Sequence, residues 1–572
     1  MQFDIEINNQ PVSAKRGETI KNVLDRIGIK VPTLCYMNGF TPTGGCRMCV
    51  VEIDGVSELV PSCSYPVTEW MKIKTHSPRV LKARKVLVEL LLANHPDDCL
   101  YCVRSGNCGL QDLATEMNVR ERKYHGKRQN IQIDKACPAI VRDPAKCVLC
   151  GRCIRVCDEI MGVSAIDLIG RGSESKIGTT YNKGLNTQTC VKCGQCIMVC
   201  PTGAITEKSN IQVIIDVLNN PDLFPVIQFS PTVPASIGED FNIKASKDIL
   251  NLLRSALKKM GFRQVFDASM AADLTIMEEA AEFIERLNQH EKLPLLTSCC
   301  PSWVSYIESA KPQLLPYLST TASPQQMMGR LIKNYITSSA GQKVENVYVV
   351  SVMPCTAKKY EAEKDRMKDG ISRNVDAVIT TRELVTMIKL LGIDFNSLEP
   401  EPIDTHFGMR SSAGNLFGIS GGHLEGLIRT VHQMITGQEI GTLRISELRG
   451  LKGKKEARIK IGKVSFNIAA VSGLSNVKSL MDDIEAGRED YSLIEVMACP
   501  YGCINGGGQK LNPEEKNLKS RMKALYDVDD EEMIRVAHKN PVIVDLYERF
   551  LAKPGSERNK ELLHVSRTVK EE

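Results

Sequence analysis

Apolar and polar residues follow one another along this chain in patterns that predict where strands and helices lie. Near the start, "QFDIEIN" alternates apolar and polar residues as a half-buried strand does, and "NNQPV" after it predicts a turn. Much further along, the runs "PVIQF", "KLPLL", "VYVVSVM" and "LIEVM" are short, continuously apolar and rich in residues that favour strands. The pattern therefore predicts a strand-rich segment at the start and buried strands in the second half.

Helical spacing accompanies the apolar runs from about residue 210 onwards. The segment "SKDILNLLRSALKKMGF" places apolar residues near helical spacing, with Ser246 as the candidate N-cap and Gly261 as the candidate C-cap. These apolar residues are Ile249, Leu250, Leu253, Leu257 and Met260. Because such helices alternate with the buried strands, we expect an α/β domain in which helices cover a sheet.

Composition narrows the class of protein. A chain of 572 residues predicts three or four domains, and its net charge of +5 is too thinly spread for a nucleic-acid footprint. No window approaches eighteen consecutive apolar residues, and the N-terminal residues resemble no secretory signal, so we expect a cytoplasmic protein without a membrane segment. The chain has 21 cysteines. In a reducing compartment, clustered cysteines indicate metal ligands or catalytic groups rather than disulfides.

An internal repeat is the strongest chemical signal. The segments "CVLCGRCIRVC" and "CVKCGQCIMVC" share the spacing C-x2-C-x2-C-x3-C. This spacing holds two 4Fe-4S clusters in two-cluster ferredoxins, where the fourth cysteine of each run binds the other cluster. Zinc is the alternative, but zinc sites usually take paired C-x2-C ligands. The predicted ligands are Cys147, Cys150, Cys153, Cys157, Cys190, Cys193, Cys196 and Cys200.

Two further sets of ligands precede the repeat. Four cysteines in a strand-rich segment suit a 2Fe-2S centre, with a zinc ribbon as the alternative; they are Cys35, Cys46, Cys49 and Cys63. The second set combines one histidine with three cysteines: His95, Cys99, Cys102 and Cys108. Alone, this set would indicate zinc. Between two iron-sulfur segments, a 4Fe-4S cluster with one histidine ligand fits better.

The remaining ligand candidates follow the buried strands. Each of the four apolar runs leads into a polar or cysteine-bearing turn, and these turns contain Ser230 to Thr232, Cys299 with Cys300, Cys355, and Cys499 with Cys503. Ligands of α/β sheets gather outside the carboxyl ends of strands. We therefore expect the five cysteines to meet in one crevice.

Three motifs in this half, "TSCCPSW", "MPCTAKKYEA" and "EVMACPYGCINGGG", resemble those of the iron-only (FeFe) hydrogenases, in the large form with accessory clusters. The resemblance covers essentially the whole chain. It implies a 2Fe-2S ferredoxin-like (β-grasp) domain over residues 1–80, a 4Fe-4S domain with one histidine and three cysteine ligands over 81–124, and a two-4Fe-4S ferredoxin-like domain over 125–209. An α/β catalytic domain over 210–572 would follow, with a small-subunit-like tail from about 512 to 572.

The resemblance also implies a catalytic cofactor, the H-cluster, which joins a 4Fe-4S cube to a diiron unit with carbon monoxide, cyanide and a bridging dithiolate. Its expected cube ligands are Cys300, Cys355, Cys499 and Cys503. Residues expected around the diiron unit are Lys358, Met353, Met497, Gln325, Pro231, Ser230, Thr232 and Phe417. Without the resemblance, Lys358 would be taken as a solvated lysine and the others as ordinary core or loop residues. Gly506, Gly507 and Gly508 would let backbone N–H groups approach an anionic cluster.

Proton transfer is assigned by the same resemblance to Cys299, Glu279, Ser319, Glu282 and Arg286. In "LTIMEEAAEFIERL", Glu279 and Glu282 share one helical face and Arg286 lies one turn beyond Glu282. On spacing alone, an exposed Glu–Arg pair is the alternative. Cys137 has no partner motif, and we interpret it as a small buried apolar residue.

The partners that the resemblance implies are dihydrogen and protons as substrates, ferredoxin or flavodoxin as electron carrier, and maturation proteins that insert the diiron unit. A monomer is expected. The first 200 residues also resemble a subunit of respiratory NADH dehydrogenases, so a catalytic subunit of an NAD(P)-linked hydrogenase is the main alternative, and a hydrogen sensor is a weaker one. The segment "GISGGHLEG" is glycine-rich but lacks the strand and helix context of a dinucleotide site.

Overall fold

The computed structural model describes residues 2–126, 132–186, 189–243, 247–339, 341–364, 368–369, 372–401, 407–488 and 490–566. Helices and strands are interleaved along most of the chain. Within these ranges, no helix combines the length and the apolar character needed to cross a membrane.

The chain begins with a five-stranded sheet in the order β2–β1–β5–β3–β4. Its strands are β1 (Gln2–Ile7), β2 (Gln10–Lys15), β3 (Val50–Ile53), β4 (Val60–Pro61) and β5 (Lys72–Lys74), and helix α1 (Ile20–Arg26) packs on them. The strand predicted from the alternating pattern is confirmed, because Ile5 and Ile7 are buried. The predicted turn is confirmed as well, since Asn8 and Asn9 join β1 to β2 with φ angles of 51° and 65°, a left-handed conformation that asparagine tolerates.

Helices α2 (Pro78–Asn94) and α3 (Gly109–Glu116) form the next segment. The hydroxyl of Ser77 accepts a hydrogen bond from the backbone N–H of Val80, which caps the start of α2. Helix α2 ends directly before His95, and α3 begins directly after Cys108. Two predicted metal ligands therefore lie at helix ends.

The cysteine repeat is also a repeat of backbone conformation. Short helices α4 (Arg152–Arg155) and α5 (Gln195–Val199) each follow a glycine, Gly151 or Gly194, with φ near 70°. Leu149 and Lys192, two residues earlier, also have positive φ. Around them, β6 (Ile140–Arg142) pairs with β9 (Ile205–Glu207), and β7 (Asp167–Ile169) pairs with β8 (Lys176–Gly178).

Two four-stranded sheets organise the rest of the chain. The first is wholly parallel in the order β11 (Gln264–Asp267), β10 (Phe224–Phe229), β13 (Val347–Met353) and β16 (Ala377–Thr380). The second has the order β12 (Leu295–Leu296), β19 (Leu493–Met497), β18 (Val464–Ser472) and β17 (Lys454–Ile461), with only β17 and β18 antiparallel. Strand β14 (Lys368–Asp369) pairs antiparallel with β15 (Ser372–Arg373).

All four predicted apolar runs form strands, but they fall in two sheets. Strands β10 and β13 belong to the first sheet, whereas β12 and β19 belong to the second. The "KLPLL" run is shorter than its pattern suggests, since only Leu295 and Leu296 are in strand conformation. Apolar patterns indicate that a strand is buried but not which sheet it joins.

The helices of this region fill the space around the two sheets. They are α6 (Ile211–Leu218), α7 (Thr232–Ile237), α8 (Lys247–Lys259), α9 (Ser269–Gln289), α10 (Pro301–Ala310), α11 (Pro324–Ser339), α12 (Ala357–Glu363), α13 (Thr381–Leu390), α14 (Ser412–Asn415), α15 (Gly422–Thr436), α16 (Leu474–Glu485), α17 (Glu515–Glu531), α18 (Pro541–Arg549) and α19 (Glu557–Leu563). Helix α9 is buried along most of its length and packs against α11 and α15.

Helix α8 confirms the helix predicted from apolar spacing. Ile249, Leu253 and Leu257 are fully buried in a core that includes residues of the first sheet. Gly261 lies just beyond the helix with φ of 107°, a conformation that suits glycine. The predicted N-cap Ser246 lies outside the described residues.

Buried charges connect helix α17, near the C-terminus, to helix α15. On α15, the guanidinium of Arg429 donates hydrogen bonds to Asp529 on α17 at 2.9 and 3.0 Å and to Glu425 at 2.7 Å. Arg449 donates to Glu425 at 2.8 Å and also to Asp529 at 2.5 Å. These neighbours hold the pKa of the Asp529 carboxyl well below its usual range, although burial opposes them.

We expect Arg429→Gln to lower the melting temperature, because Glu425 and Asp529 would lose one of their buried cations. Removing one partner from a buried ion pair costs about 3 kcal/mol or more. Thermal unfolding followed by circular dichroism measures the change. Arg444→Gln is the matched control, since the Arg444–Asp530 pair is about half exposed and such pairs contribute about 0–1 kcal/mol. Equal melting temperatures for the two variants would show that the buried network contributes little.

Candidate active site

A cavity lies where the carboxyl ends of β10, β12, β13 and β19 meet. About 810 Å³ of space there, open solvent included, is not filled by protein atoms. Cys300 follows β12 and precedes α10, Cys355 follows β13, and Cys499 and Cys503 follow β19. All four line the cavity, as does Cys299. The structure thus brings together the five cysteines that the strand ends were expected to place in one crevice.

Adjacent Cys299 and Cys300 point into different surroundings. Cys299 packs against the core formed by α9, α11 and α15, whereas Cys300 packs against the core that contains Trp303. The sulfur of Cys300 accepts a hydrogen bond of 3.5 Å from the backbone N–H of Ala498. Neighbouring side chains can therefore serve different purposes in the same cavity.

The donor atoms around the cavity suit a thiolate-bound metal cluster. Burial raises the pKa of Cys355 to about 12 and those of Cys499 and Cys503 well above the usual value, so bare thiolates there would be unfavourable. Iron ions would supply the missing positive charge. Among the described residues, Gln325 Oε1 and Ser302 Oγ are also buried at the cavity without a hydrogen-bond partner.

Lys358 lies inside the protein and not in solvent. Its ammonium donates to Glu361 Oε2 at 2.8 Å and to the carbonyl of Cys299 at 3.2 Å. Burial alone would lower the pKa of Lys358, but Glu361 and the nearby Cys355 and Cys299 raise it. A lysine that stays charged at a cavity wall can bind an anionic ligand of a metal.

Most of the other residues predicted to surround the diiron unit also line the cavity. They are Ser230, Pro231, Gln325, Met353, Phe417 and Met497. Thr232 does not; it is fully buried behind Ser230, and its hydroxyl lies 3.1 Å from that of Ser230. For two of the three glycines the expectation needs correction, because the N–H groups of Gly506 and Gly508 already donate to the carbonyls of Cys503 and Pro354; for Gly507 it stays a prediction.

The cysteine repeat forms two crossed sets. One cavity is lined by Cys147, Cys150, Cys153 and Cys200, and a second by Cys157, Cys190, Cys193 and Cys196. In each set, the fourth cysteine of one run joins the first three of the other. Cys137 is fully buried nearby in an apolar cluster, as predicted.

The four N-terminal cysteines lie together beside the sheet. The thiols of Cys46 and Cys63 hydrogen-bond to the sulfur of Cys35 and lower its pKa, and Cys63 also bonds to Cys49. In the other set, burial lowers the pKa of His95, which favours the neutral imidazole that binds metals. Cys99 is exposed, Cys102 half-buried and Cys108 buried.

The cysteine sets are close neighbours along the fold. Arg155 in the repeat donates to the carbonyls of Cys35 and Thr41. A methyl group at Gly203, next to the set containing Cys200, would lie 2.9 Å from the sulfur of Cys102. Both N-terminal sets therefore contact the first crossed set.

The second crossed set touches the active-site cavity. Thr356, next to Cys355, donates a hydrogen bond of 2.8 Å to the carbonyl of Lys192. Gln195 donates one of 2.9 Å to the carbonyl of Asn505. A Cβ atom added at Gly507 would lie 2.7 Å from the Cα of Gly194, so the two backbones meet at van der Waals distance.

Four of the residues predicted to transfer protons are buried and Cys299 is half-buried, so the exposed Glu–Arg alternative is wrong; the buried four are Glu279, Glu282, Arg286 and Ser319. Glu282 accepts hydrogen bonds from Arg286 Nη2 at 2.6 Å and from Ser319 Oγ at 2.8 Å. Glu279 is 1% exposed, and its Oε2 is hydrogen-bonded to Nε2 of His423. Glu279 Oε1 is buried without a hydrogen-bond partner among the described residues. Burial, together with the charges of Cys300 and Glu279, raises the pKa of Cys299.

The sequence patterns missed two histidines near these carboxylates. His423 contacts Glu279, and His564 in the C-terminal tail bonds through Nδ1 to Thr320 Oγ1 at 2.7 Å. Thr320 in turn donates to Glu282 at 3.3 Å. Both histidines are far from their partners in sequence, and neither stands in a spacing pattern that could have revealed it.

Comparison with known proteins gives the same picture. Residues 224–507 match the family model described as iron only hydrogenase large subunit, C-terminal domain, and residues 515–566 match iron hydrogenase small subunit. The chain is 41% identical to NADP-reducing hydrogenase subunit HndD of Solidesulfovibrio fructosivorans, over 98% of both chains. It is 37% identical to Iron hydrogenase 1 of Clostridium pasteurianum, over 98% of this chain and 99% of that one.

The chain belongs to the iron-only (FeFe) hydrogenase family. The solved structure of a variant of apo [FeFe]-hydrogenase HydA1 from Chlamydomonas reinhardtii matches 63% of this chain and 99% of its own, with 33% identity and a TM-score of 0.58.

The N-terminal part of this hydrogenase matches iron-sulfur domains. Residues 1–78 match a 2Fe-2S iron-sulfur cluster binding domain, and residues 84–123 match the NADH-ubiquinone oxidoreductase-G iron-sulfur binding region. Residues 137–206 match the ferredoxin-like domain of NADH-quinone oxidoreductase subunit 3. These matches favour iron-sulfur clusters over the zinc alternatives.

As a hydrogenase, the protein reversibly oxidises dihydrogen to protons and electrons, and it carries an H-cluster with 2Fe-2S and 4Fe-4S clusters. When bound, the H-cluster supplies the iron position at which dihydrogen is split or formed. The protein lines the cavity mainly with apolar groups and with the buried ammonium of Lys358, whereas Glu279 and Glu282 are buried but do not line it.

We expect Gly507→Ala to reduce the rate of hydrogen production, with a small reducing dye as electron donor, by about tenfold or more. The added methyl group would overlap the carbonyl of Cys193, and backbone cannot move aside as a flexible side chain can. Dye-linked turnover and iron content per chain measure the effect. Gly441→Ala is the control, because its methyl group would meet no atom within 4 Å. Wild-type turnover in the Gly507 variant would contradict the importance of this contact.

Proposed function

We propose that this hydrogenase exchanges electrons with ferredoxin or a similar carrier, such as flavodoxin, through three 4Fe-4S clusters and one 2Fe-2S cluster. The observation that carries the proposal is the contact of the second crossed cysteine set with the cavity loops at Thr356 and Gly507. An unbroken series of cysteine sets thereby runs from the exposed N-terminal segments to the active site. Four such sets in one chain have no other evident purpose than electron transfer.

In this proposal the crossed sets hold the two 4Fe-4S clusters nearest the H-cluster. The cysteines of the first sheet hold the 2Fe-2S cluster, and His95 with its three cysteines holds the third 4Fe-4S cluster. Two contacts support this order: the hydrogen bond from Arg155 to the carbonyl of Thr41, and the close approach of Gly203 to the sulfur of Cys102. Each connects one outer set to the crossed set that contains Cys147 and Cys200. The two outer clusters are then alternative entry points for electrons.

The H-cluster cube would be held by Cys300, Cys355, Cys499 and Cys503. Lys358 would donate a charge-assisted hydrogen bond to a cyanide ligand. Cys299, Glu279, Ser319, Glu282 and Arg286 would form the proton path, with water between some members. Maturation proteins would insert the diiron unit into the cavity, and the chain would act as a monomer.

The corresponding domain division is the one predicted from sequence. It places a β-grasp 2Fe-2S domain in residues 1–80, the 4Fe-4S domain with one histidine and three cysteine ligands in 81–124, and the ferredoxin-like domain in 125–209. The α/β catalytic domain takes 210–572, with its tail from about 512. The five-stranded sheet, the backbone repeat around α4 and α5, and the two larger sheets support this division.

A catalytic subunit of an NADP-linked hydrogenase is the second candidate function. The observation that favours it is the 41% identity to a protein named NADP-reducing hydrogenase subunit HndD. In this chain "GISGGHLEG" forms the turn before α15 and the start of that helix, and it follows a one-turn helix, not a strand. A partner chain would therefore have to supply the nucleotide site.

We expect the purified, matured chain to produce hydrogen from reduced ferredoxin and not from NADPH. The reason is that the described cysteine sets provide an electron route, whereas a nucleotide site would require a second chain. Gas chromatography of hydrogen with each donor measures the result, with a reducing dye as positive control. Turnover from NADPH by the chain alone would overturn the proposal, and turnover only after adding a partner subunit would favour the second candidate.

We expect Glu279→Gln to lower hydrogen turnover by at least about a hundredfold, because it removes a buried carboxyl group that can exchange a proton. The infrared bands of iron-bound carbon monoxide and cyanide should persist, since Glu279 is not a predicted ligand. Glu285→Gln on the same helix is the control, because Glu285 is half exposed. Wild-type turnover with intact bands would mean that protons travel another way.

A further inference from the structure

His423 occupies an unusual place for a histidine. It lies in the first turn of α15, is fully buried, and its Nε2 is hydrogen-bonded to Oε2 of Glu279. Its ring lies against Phe417, with ring centroids 4.1 Å apart, and Phe417 lines the active-site cavity. The imidazole is therefore fixed between the cavity wall and a carboxylate of the proposed proton path.

Each member of this pair has one polar atom left over. Within the described part of the chain, His423 Nδ1 and Glu279 Oε1 are buried and have no hydrogen-bond partner. A carboxylate held through one oxygen keeps a fixed orientation, while its second oxygen can still accept or give up a proton. Leaving a buried polar atom unpaired is costly, so such an atom indicates a use beyond packing.

The charged groups around His423 come from three elements. Glu495 on β19 accepts hydrogen bonds from the backbone N–H groups of Gly421 at 2.6 Å and Leu424 at 2.8 Å. Lys455 on β17 donates to the carbonyl of Ser420. Glu279 on α9 faces the ring directly.

On α15 itself, Glu425 is directed elsewhere, because it pairs with Arg429 and Arg449. Of these groups, only Glu279 shares a hydrogen bond with the ring in the described residues. The structure thus pairs the imidazole with the Glu279 carboxyl group through Nε2 and Oε2.

We propose that His423 is a positioning residue for Glu279, which holds the carboxylate by Oε2, leaves Oε1 free for the proton path and so sets the pH range in which that path works. The proposal rests on the proton path of the proposed function. A ring N–H that donates to a carboxylate favours the ionised form. Without this donor, the buried Glu279 would keep its proton up to a higher pH.

Two substitutions separate this role from packing. His423→Val removes the donor, whereas His423→Gln keeps a side-chain N–H that can donate to Glu279. His432→Val is the matched control on the same helix, because His432 is half-buried at the far end of α15, where its Nδ1 lies 3.0 Å from the carbonyl of Gln438. Iron content and the infrared bands of carbon monoxide and cyanide show whether each variant has folded and matured.

The first measurement is hydrogen production as a function of pH. In His423→Val we expect the pH of half-maximal turnover to move up by about one to two pH units, the effect of losing one hydrogen bond to a charged group. In His423→Gln the pH of half-maximal turnover should stay within about half a unit of the wild-type value. The amide N–H can still donate a hydrogen bond to Glu279, although with poorer geometry. His432→Val should leave it unchanged.

The second measurement does not depend on turnover. Infrared titration follows the band of the protonated carboxyl group that disappears in Glu279→Gln, and its midpoint should move up in His423→Val by the same amount. Identical midpoints in wild type and His423→Val, with mature clusters in both, would overturn the proposal. A midpoint that moves equally in the Val and Gln variants would also overturn it, because packing alone would then explain the change.

The same data separate this inference from the proton path itself. If Glu279→Gln turns over at the wild-type rate, the path fails, and the pH range of turnover cannot depend on His423 even if the carboxyl midpoint moves. If Glu279→Gln is inactive and only the His423→Val midpoint is unchanged, the path stands and the role of His423 fails.

Discussion

Buried thiolates need positive charge, and this requirement governs the architecture of the protein. Burial raises the pKa of Cys355, Cys499 and Cys503, three of the predicted ligands at the active-site cavity. Their deprotonated thiolates are therefore favourable there only when iron supplies the missing positive charge. The fold must therefore bring distant cysteines to fixed positions around one metal site. It does so by placing each of them just after a buried strand, where the backbone is held by sheet hydrogen bonds on one side and a helix on the other. Stability and metal binding are coupled for the same reason.

The sequence predicts this arrangement well where the signal is local. Cysteine spacing predicts the crossed sets, because the ligands of each run lie within one short turn and helix. The apolar runs predict β10, β13 and β19, because a continuously apolar run of strand length indicates a strand that is buried on both faces. The pairing of these strands into two sheets could not be predicted, since it depends on contacts between segments more than a hundred residues apart, such as Leu295 with Leu493. For the same reason the pattern overestimated the two-residue strand β12.

The contacts that the sequence could not reveal are those made by single side chains across the fold. The position of Thr232 behind Ser230 depends on how α7 begins, and a difference of two residues along a turn decides whether a hydroxyl reaches the cavity. His423 lies 144 residues from Glu279, in a glycine-rich segment whose sequence is compared first with dinucleotide-binding motifs. The Arg429 network joins residues a hundred positions apart. No periodicity links such pairs, so only the three-dimensional structure brings them into view.

In the proposed function, electrons and protons reach one buried site by separate routes, which would diverge at the adjacent residues Cys299 and Cys300. Consecutive side chains diverge, so Cys300 packs with the core near the second sheet while Cys299 packs with α9, α11 and α15. The backbone contact between Gly194 and Gly507 leaves no space for a side chain, which would shorten the gap that an electron crosses in the proposed route. Helix α9 differs, since it places acids one turn apart and leaves Glu279 Oε1 without a hydrogen-bond partner among the described residues. In the proposed function, close packing would therefore serve electron transfer, and incomplete hydrogen bonding would serve proton transfer.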